Sequence, residues 1–157
     1  SYNQLTGSIP SLADLSDLQD FEVSGNNLTG SIPSLAGLTN LSAFGVVGNQ
    51  LTGSIPSLGG LTNLQAFFVS SNQLSGTIPP LAGLTNLQIF QVEYNQLRGD
   101  IPDLPNPDSL LDGLSTLCPN ALNQTPNADW DRATGETPWY QNCAPLPDPI
   151  FTNGFDL

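Results

Sequence analysis

Apolar residues return along this chain in one fixed frame. One set is Leu38, Leu41, Phe44, Val46, Leu51, Ile55 and Leu58, and the frame repeats every 23 residues, with units starting at Asn3, Asn26, Asn49, Asn72 and Asn95. The last unit is a degraded copy, "NQLRGDIPDLP". Within each unit a segment such as Phe44-Gly45-Val46 alternates apolar with outward positions, the period of a short strand. Strands are predicted near 20–24, 43–47, 66–70 and 89–93. Each unit makes one turn of chain, so these strands stack in parallel at about 4.8 Å. Phe21, Phe44, Phe67 and Phe90 then form a buried aromatic spine, with Leu, Val and Ile columns around it. One coil cannot bury its apolar side alone, which is the physical reason for copying it.

The polar positions that never vary have structural work to do. Asn26, Asn49, Asn72 and Asn95 fall where the chain must turn out of the strand. A carboxamide carries both donor and acceptor, so stacked copies can satisfy backbone groups as a ladder. Gly7, Gly30, Gly53, Gly76 and Gly99 permit a tight bend, and the Pro that follows removes a donor and fixes φ.

The unit L-x-x-L-x-x-F-x-V-x-x-N-x-L-x-G-x-I-P-x-L resembles the leucine-rich repeat of the plant-type subclass, whose consensus carries L-x-G-x-I-P after the Asn. The likeness covers residues 3 to about 104. Two features depart from that pattern: the "IPSLAGL" segment is one residue short, and the paired-cysteine cap that commonly precedes plant repeats is missing. "DWDRATGETPWYQNC" and "DPIFTNGFDL" resemble tails of secreted bacterial leucine-rich-repeat proteins. The resemblance implies a right-handed solenoid with a short parallel β-sheet on its concave face and irregular or short-helix chain on its convex side. It also implies secretion to the extracellular space or cell surface, and a binding or scaffolding role.

Three regions follow: repeats over 1–104, a C-terminal cap over 105–145, and a tail over 146–157. In the cap, Asn127 is positioned as an N-cap and Gly135 as a stop. Trp130 and Trp139 are expected to cover the end of the core, although an aromatic pair can also serve as a glycan platform. Cys118 and Cys143 are the only cysteines. They read best as one disulfide formed in an oxidising compartment, worth about 3 kcal/mol by loop closure. Free thiols are the alternative, and two thiols without His make a poor zinc site.

Charge narrows the partners. There are 2 basic and 14 acidic residues and no His, for a formal net charge of -12. Nucleic acid needs Lys or Arg to displace counterions, and no apolar run reaches the roughly 20 residues of a membrane span. The chain has no Met, so Ser1 reads as a processed end or a fragment boundary. Without His or Lys, the usual general bases and amine nucleophiles are missing. The carboxylate pairs Asp129/Asp131 and Asp100/Asp103 have no evident cleft, and no cofactor or metal site is expected. The expectation is a protein that is not an enzyme.

Outward strand positions are more informative. They read Asp20, Ala43, Ala66, Ile89; then Glu22, Gly45, Phe68, Gln91; then Ser24, Val47, Ser70, Glu93. Val47, Phe68 and Ile89 are apolar where water is expected, and their adjacency on a flat sheet suggests an interaction patch. Glu22, Val47, Phe68, Ile89, Gln91 and Glu93 are therefore the expected binding face, with a protein as partner. Two alternatives stand beside it. One is head-to-tail self-assembly into a filament, with Ile150, Phe151 and Phe155 of one copy inserted at the N-terminal edge near Tyr2 of the next. The other is ice binding by the hydroxyl ranks Thr6, Thr29, Thr52, Ser75 and Ser8, Ser31, Ser54, Thr77.

Overall fold

The computed structural model describes residues 3–143. Each of the first four coils carries two short strands, and the later chain adds two more. They run in chain order as β1 (Thr6–Ser8), β2 (Asp20–Glu22), β3 (Asn27–Thr29), β4 (Ala43–Gly45), β5 (Thr52–Gly53), β6 (Ala66–Phe68), β7 (Gln73–Gly76), β8 (Ile89–Gln91), β9 (Gln96–Gly99) and β10 (Ala121–Leu122), followed by helix α1 (Ala128–Thr134). The main sheet is parallel, in the order β2-β4-β6-β8. Its register places Phe21, Phe44, Phe67 and Phe90 opposite one another. Their rings stack at 5.2, 5.6 and 5.6 Å. The fold is thus the leucine-rich repeat solenoid.

The Leu columns fill the rest of the interior: Leu35, Leu38, Leu41, Leu51, Leu58 and Leu64 are fully buried. Leu5 and Leu15 occupy the same columns in the first coil, yet are 53% and 47% exposed. They lie in the first described coil, which has a described neighbour on one side only.

The chain from each Pro to the next main strand is irregular, as expected for the convex side, but the segment just after each Asn adds a second set of strands. These form parallel pairs: β1 with β3, and β5-β7-β9-β10, linked by a bridge between Ser31 and Thr52. The cause is the neighbouring coil. Gln50 N–H donates to Leu28 O at 2.8 Å, and Thr52 N–H to Gly30 O at 2.8 Å. Identical turns stacked in register give each backbone group a partner one coil away, which local propensity does not encode.

The coil frame also runs past Leu104. Gln91 bridges to Thr116 in parallel, and Leu117 and Leu122 are buried in the Val92 and Leu97 columns. Helix α1 then closes the stack. Asn127 Oδ1 accepts from Asp129 N–H and Trp130 N–H, and Gly135 ends the helix at φ 72°. Trp130 is fully buried and its ring lies 6.0 Å from that of Phe90. Its Nε1–H donates to Pro102 O at 2.8 Å. Trp139 is buried too, with Nε1–H donating to Thr125 O at 2.8 Å. Cys118 and Cys143 form a disulfide with Cα atoms 4.9 Å apart.

Candidate binding face

The strands of the main sheet are three residues long, so each presents two outward side chains around one inward Phe, buried in β4, β6 and β8 and half-buried in β2. Strand pairing aligns these into two columns. The first runs Asp20, Ala43, Ala66, Ile89, and the bridge from Gln91 to Thr116 carries it on to Leu114. The second runs Glu22, Gly45, Phe68, Gln91, Thr116. Val47, Phe68 and Ile89 are half-buried, while Leu111 and Leu114 are 44% and 45% exposed. Apolar surface therefore runs from Ala43 to the far end of the sheet, growing bulkier as it goes. Leu111 and Leu114 lie among other leucines in a stretch where the repeat frame is broken. Their exposure is visible only once the chain is folded, because nearby Leu110 and Leu117 are buried.

The polar members of the face are already engaged. Glu22 Oε1 accepts from Ser24 N–H at 2.9 Å. Its carboxylate lies across Gly45, where a Cβ would sit 1.9 Å from Glu22 Oε2. Glu93 Oε2 accepts the Ser70 hydroxyl at 2.7 Å and also meets the Thr116 hydroxyl, so it ties three coils together. Gln91 Nε2–H donates to Leu114 O at 2.9 Å and fixes the backbone that carries that Leu. Tyr94 is the most exposed large hydrophobic side chain among the described residues, at 62%. It holds a φ of 55° in the column where Gly25 and Gly48 stand in earlier coils.

The Asn column is internal to the scaffold. Asn72 Oδ1 accepts from Leu51 N–H at 3.0 Å, and its Nδ2 donates to Val46 O, Val69 O and Ser70 O at 2.9, 3.2 and 3.2 Å. Asn49 and Asn95 repeat the arrangement, and Asn26 accepts from Leu5 N–H. Asn120 extends it, accepting from Leu97 N–H at 2.9 Å. A second ladder runs along the turns: Nδ2 of Asn40, Asn63, Asn86 and Asn106 donates to a carbonyl of the preceding coil. The recurring "TNL" was its signal.

The remaining candidates separate from the face. Trp130 and Trp139 are turned inward and offer no ring face to a sugar. Asp131 Oδ1 accepts from Trp139 N–H at 2.6 Å, and Asp100 Oδ1 from Asn123 Nδ2 at 2.7 Å, so one member of each carboxylate pair is a structural acceptor. An open groove of about 410 Å³ is lined by Ile78, Pro80, Leu81, Ile101, Pro102 and Pro105 among others, away from the main sheet. The hydroxyl ranks lie on or just after the second set of strands, and Arg98 and Asp100 stand in their places in the last coil. Tyr2, Ile150, Phe151 and Phe155 lie outside the described residues. Among the described residues no helix is long and apolar enough to cross a membrane.

No protein-family model and no curated protein matches the sequence. Solved structures do. A TDR receptor superposes on 76% of this chain and 21% of its own, at 36% identity and a TM-score of 0.66. The Arabidopsis receptor kinase HAESA, solved with the peptide hormone IDA and the co-receptor SERK1, matches 76% of this chain and 20% of its own, at 28% identity and TM-score 0.67. The BIR3–SERK2 complex from Arabidopsis thaliana supplies a third match, covering 77% of this chain and 64% of that one, at 35% identity and TM-score 0.62. The chain thus spans only about a fifth of the length of the first two.

Proposed function

We propose that this chain is a non-catalytic binding module that works outside the cell and takes a protein partner on its main sheet. The observation that carries this is the apolar run Phe68, Ile89, Leu114 and Leu111, exposed or half-buried on a scaffold whose own hydrogen bonds hold it still. A rigid, partly apolar surface loses little entropy when it binds, so more of the contact energy appears as affinity. The disulfide fits an oxidising compartment. The solved relatives support the protein-partner reading, since one is held with a peptide and a co-receptor and another in a complex.

Site-specific photocrosslinking tests the face directly. A photoreactive residue at Gln91 should capture a discrete protein partner from secreted or surface fractions of the source cell. The same residue at Gln73, on β7, should not. Phe68→Ala should weaken the capture by about 1–3 kcal/mol in affinity, the range of an aromatic hot spot, with an unchanged melting temperature. Equal capture from both positions, or capture from Gln73 alone, overturns the assignment. The ice-binding alternative draws on the exposed hydroxyls of β1, β3 and β5, and thermal hysteresis of the intact protein is its discriminating measurement.

A further inference from the structure

We infer that the partner, on the binding reading above, presents an extended segment that crosses the strands with a basic side chain at one end and large apolar side chains at the other. The face is chemically polarised along its length. At the β2 end stand Asp20 and Glu22, both exposed. At the far end stand Ile89, Leu114 and Leu111. Small residues, Ala43, Gly45 and Ala66, floor the middle, with Phe68 rising between them. The first coil is therefore anionic, the central coils are flat, and the last are greasy.

Neither basic side chain competes for the anionic end. The two basic residues are Arg98 and Arg132. Arg98 lies on β9 in the other set of strands. Arg132 is occupied on α1, with Nη1 3.2 Å from Asp108 Oδ1 and Nε 3.6 Å from Asp112 Oδ1. A net charge of -12 draws cationic segments in from a distance as well.

The apolar end is built rather than incidental. Residues 111–114 form a turn fastened from three sides. Gly113 N–H donates to Arg132 O at 3.2 Å, Ser115 N–H to Ala133 O at 2.9 Å, and Leu111 N–H to Gln88 O at 2.9 Å. Arg132 holds Asp112, and Gln91 holds the Leu114 carbonyl. Isolated surface leucines are common and need no account. Two of them on a clamped turn, continuous with Ile89 and Phe68, form a ledge fixed in place before any partner arrives.

Dimensions set the length. From the β2 column to Leu114 is four strand spacings, about 19 Å, and an extended chain at about 3.3 Å per residue covers that in roughly six residues. The basic residue and the last apolar anchor should therefore lie about six positions apart.

Display selection of random twelve-residue peptides on the immobilised full chain tests this. Recovered peptides should be enriched in Lys or Arg, with aromatic or aliphatic residues about six positions away. A selected peptide should bind at least tenfold more weakly to Leu111→Ser/Leu114→Ser. It should bind several-fold more weakly to Asp20→Asn/Glu22→Gln, and that second loss should vanish in high salt. All four side chains are exposed, so unchanged melting temperatures confirm that the variants fold. Selection of acidic or uncharged peptides, no enrichment, or indifference to both variants overturns the inference. If crosslinking at Gln91 still captures a protein in that event, the binding face stands and only the partner chemistry assigned here fails.

Discussion

Asn72→Asp is the sharpest test of what holds the coils in register. The side chain is 9% exposed and serves backbone groups from two coils. The substitution keeps size and shape and still accepts from Leu51 N–H. It replaces two amide donors with a carboxylate oxygen facing the carbonyls of Val46, Val69 and Ser70 at about 3 Å. Each buried group left without a partner costs about 1–3 kcal/mol, and more where charge is involved, so the loss should be about 4 kcal/mol. For a chain of this size that is a fall of roughly 8–16 °C in melting temperature. The pH dependence carries the mechanism. A carboxyl pressed against carbonyls favours its neutral form, which raises its folded-state pKa above the unfolded value of about 3.9. Across that window the folded variant binds more protons than the unfolded chain. The deficit is therefore full above the folded pKa, shrinks as pH falls through it, and levels off below about 3.9. Asn27→Asp adds the same charge at an exposed site and should move the melting temperature little. Chemical denaturation of both variants, each relative to wild type at the same pH, at about pH 4 and about pH 8 decides the matter. A deficit under about 1 kcal/mol, or one equal at both pH values, refutes the ladder as a load on stability.

Phe67→Ala should cost about 3–5 kcal/mol, because it opens a cavity between the fully buried rings of Phe44 and Phe90; urea titration reads this directly. Gly48→Ala should cost about 1 kcal/mol from the left-handed φ of 63° alone, since the new Cβ would meet only Gly25 atoms at 3.9 Å. Tyr94→Gly, the reverse change in the same column, should be neutral to mildly stabilising, and a calorimetric melt that drops by several degrees would contradict it.

The repeated part of the fold was legible because every coil repeats the same constraint. One Phe per 23 residues, four times over, can only be a spine, and an Asn at each exit from the strand can only be serving backbone. The second set of strands was not legible for the opposite reason. Segments such as Thr52–Gly53 are two to four residues long and carry glycine, a poor strand former. What makes them strands is the backbone of the adjacent coil. The binding face fell between these cases. Periodicity marked Phe68 and Ile89 as outward, but it could not tell that Glu93 and Gln91 spend their polar atoms inside the protein, or that Leu111 and Leu114 prolong the strip.

The coil after Leu104 explains why that extension was hidden. From Asn95 to Asn120 the spacing is 25 rather than 23, and the position of the spine is taken by Ser115. Read as a sequence, the frame breaks there. In the structure Ser115 is fully buried, and its hydroxyl accepts from Phe90 N–H at 3.1 Å. A small side chain at that point leaves the next place in the stack to Trp130, which arrives from α1 and packs 6.0 Å from Phe90. The aromatic spine thus continues with a residue supplied from elsewhere in the chain. The same exchange fixes α1 against the last coil, and α1 in turn carries Arg132, whose backbone and guanidinium hold the turn that displays Leu111 and Leu114. Closing the core and presenting the apolar ledge are consequences of one packing solution. A cap variant that loosens Trp130 should therefore weaken binding at Leu114 before it unfolds the repeats.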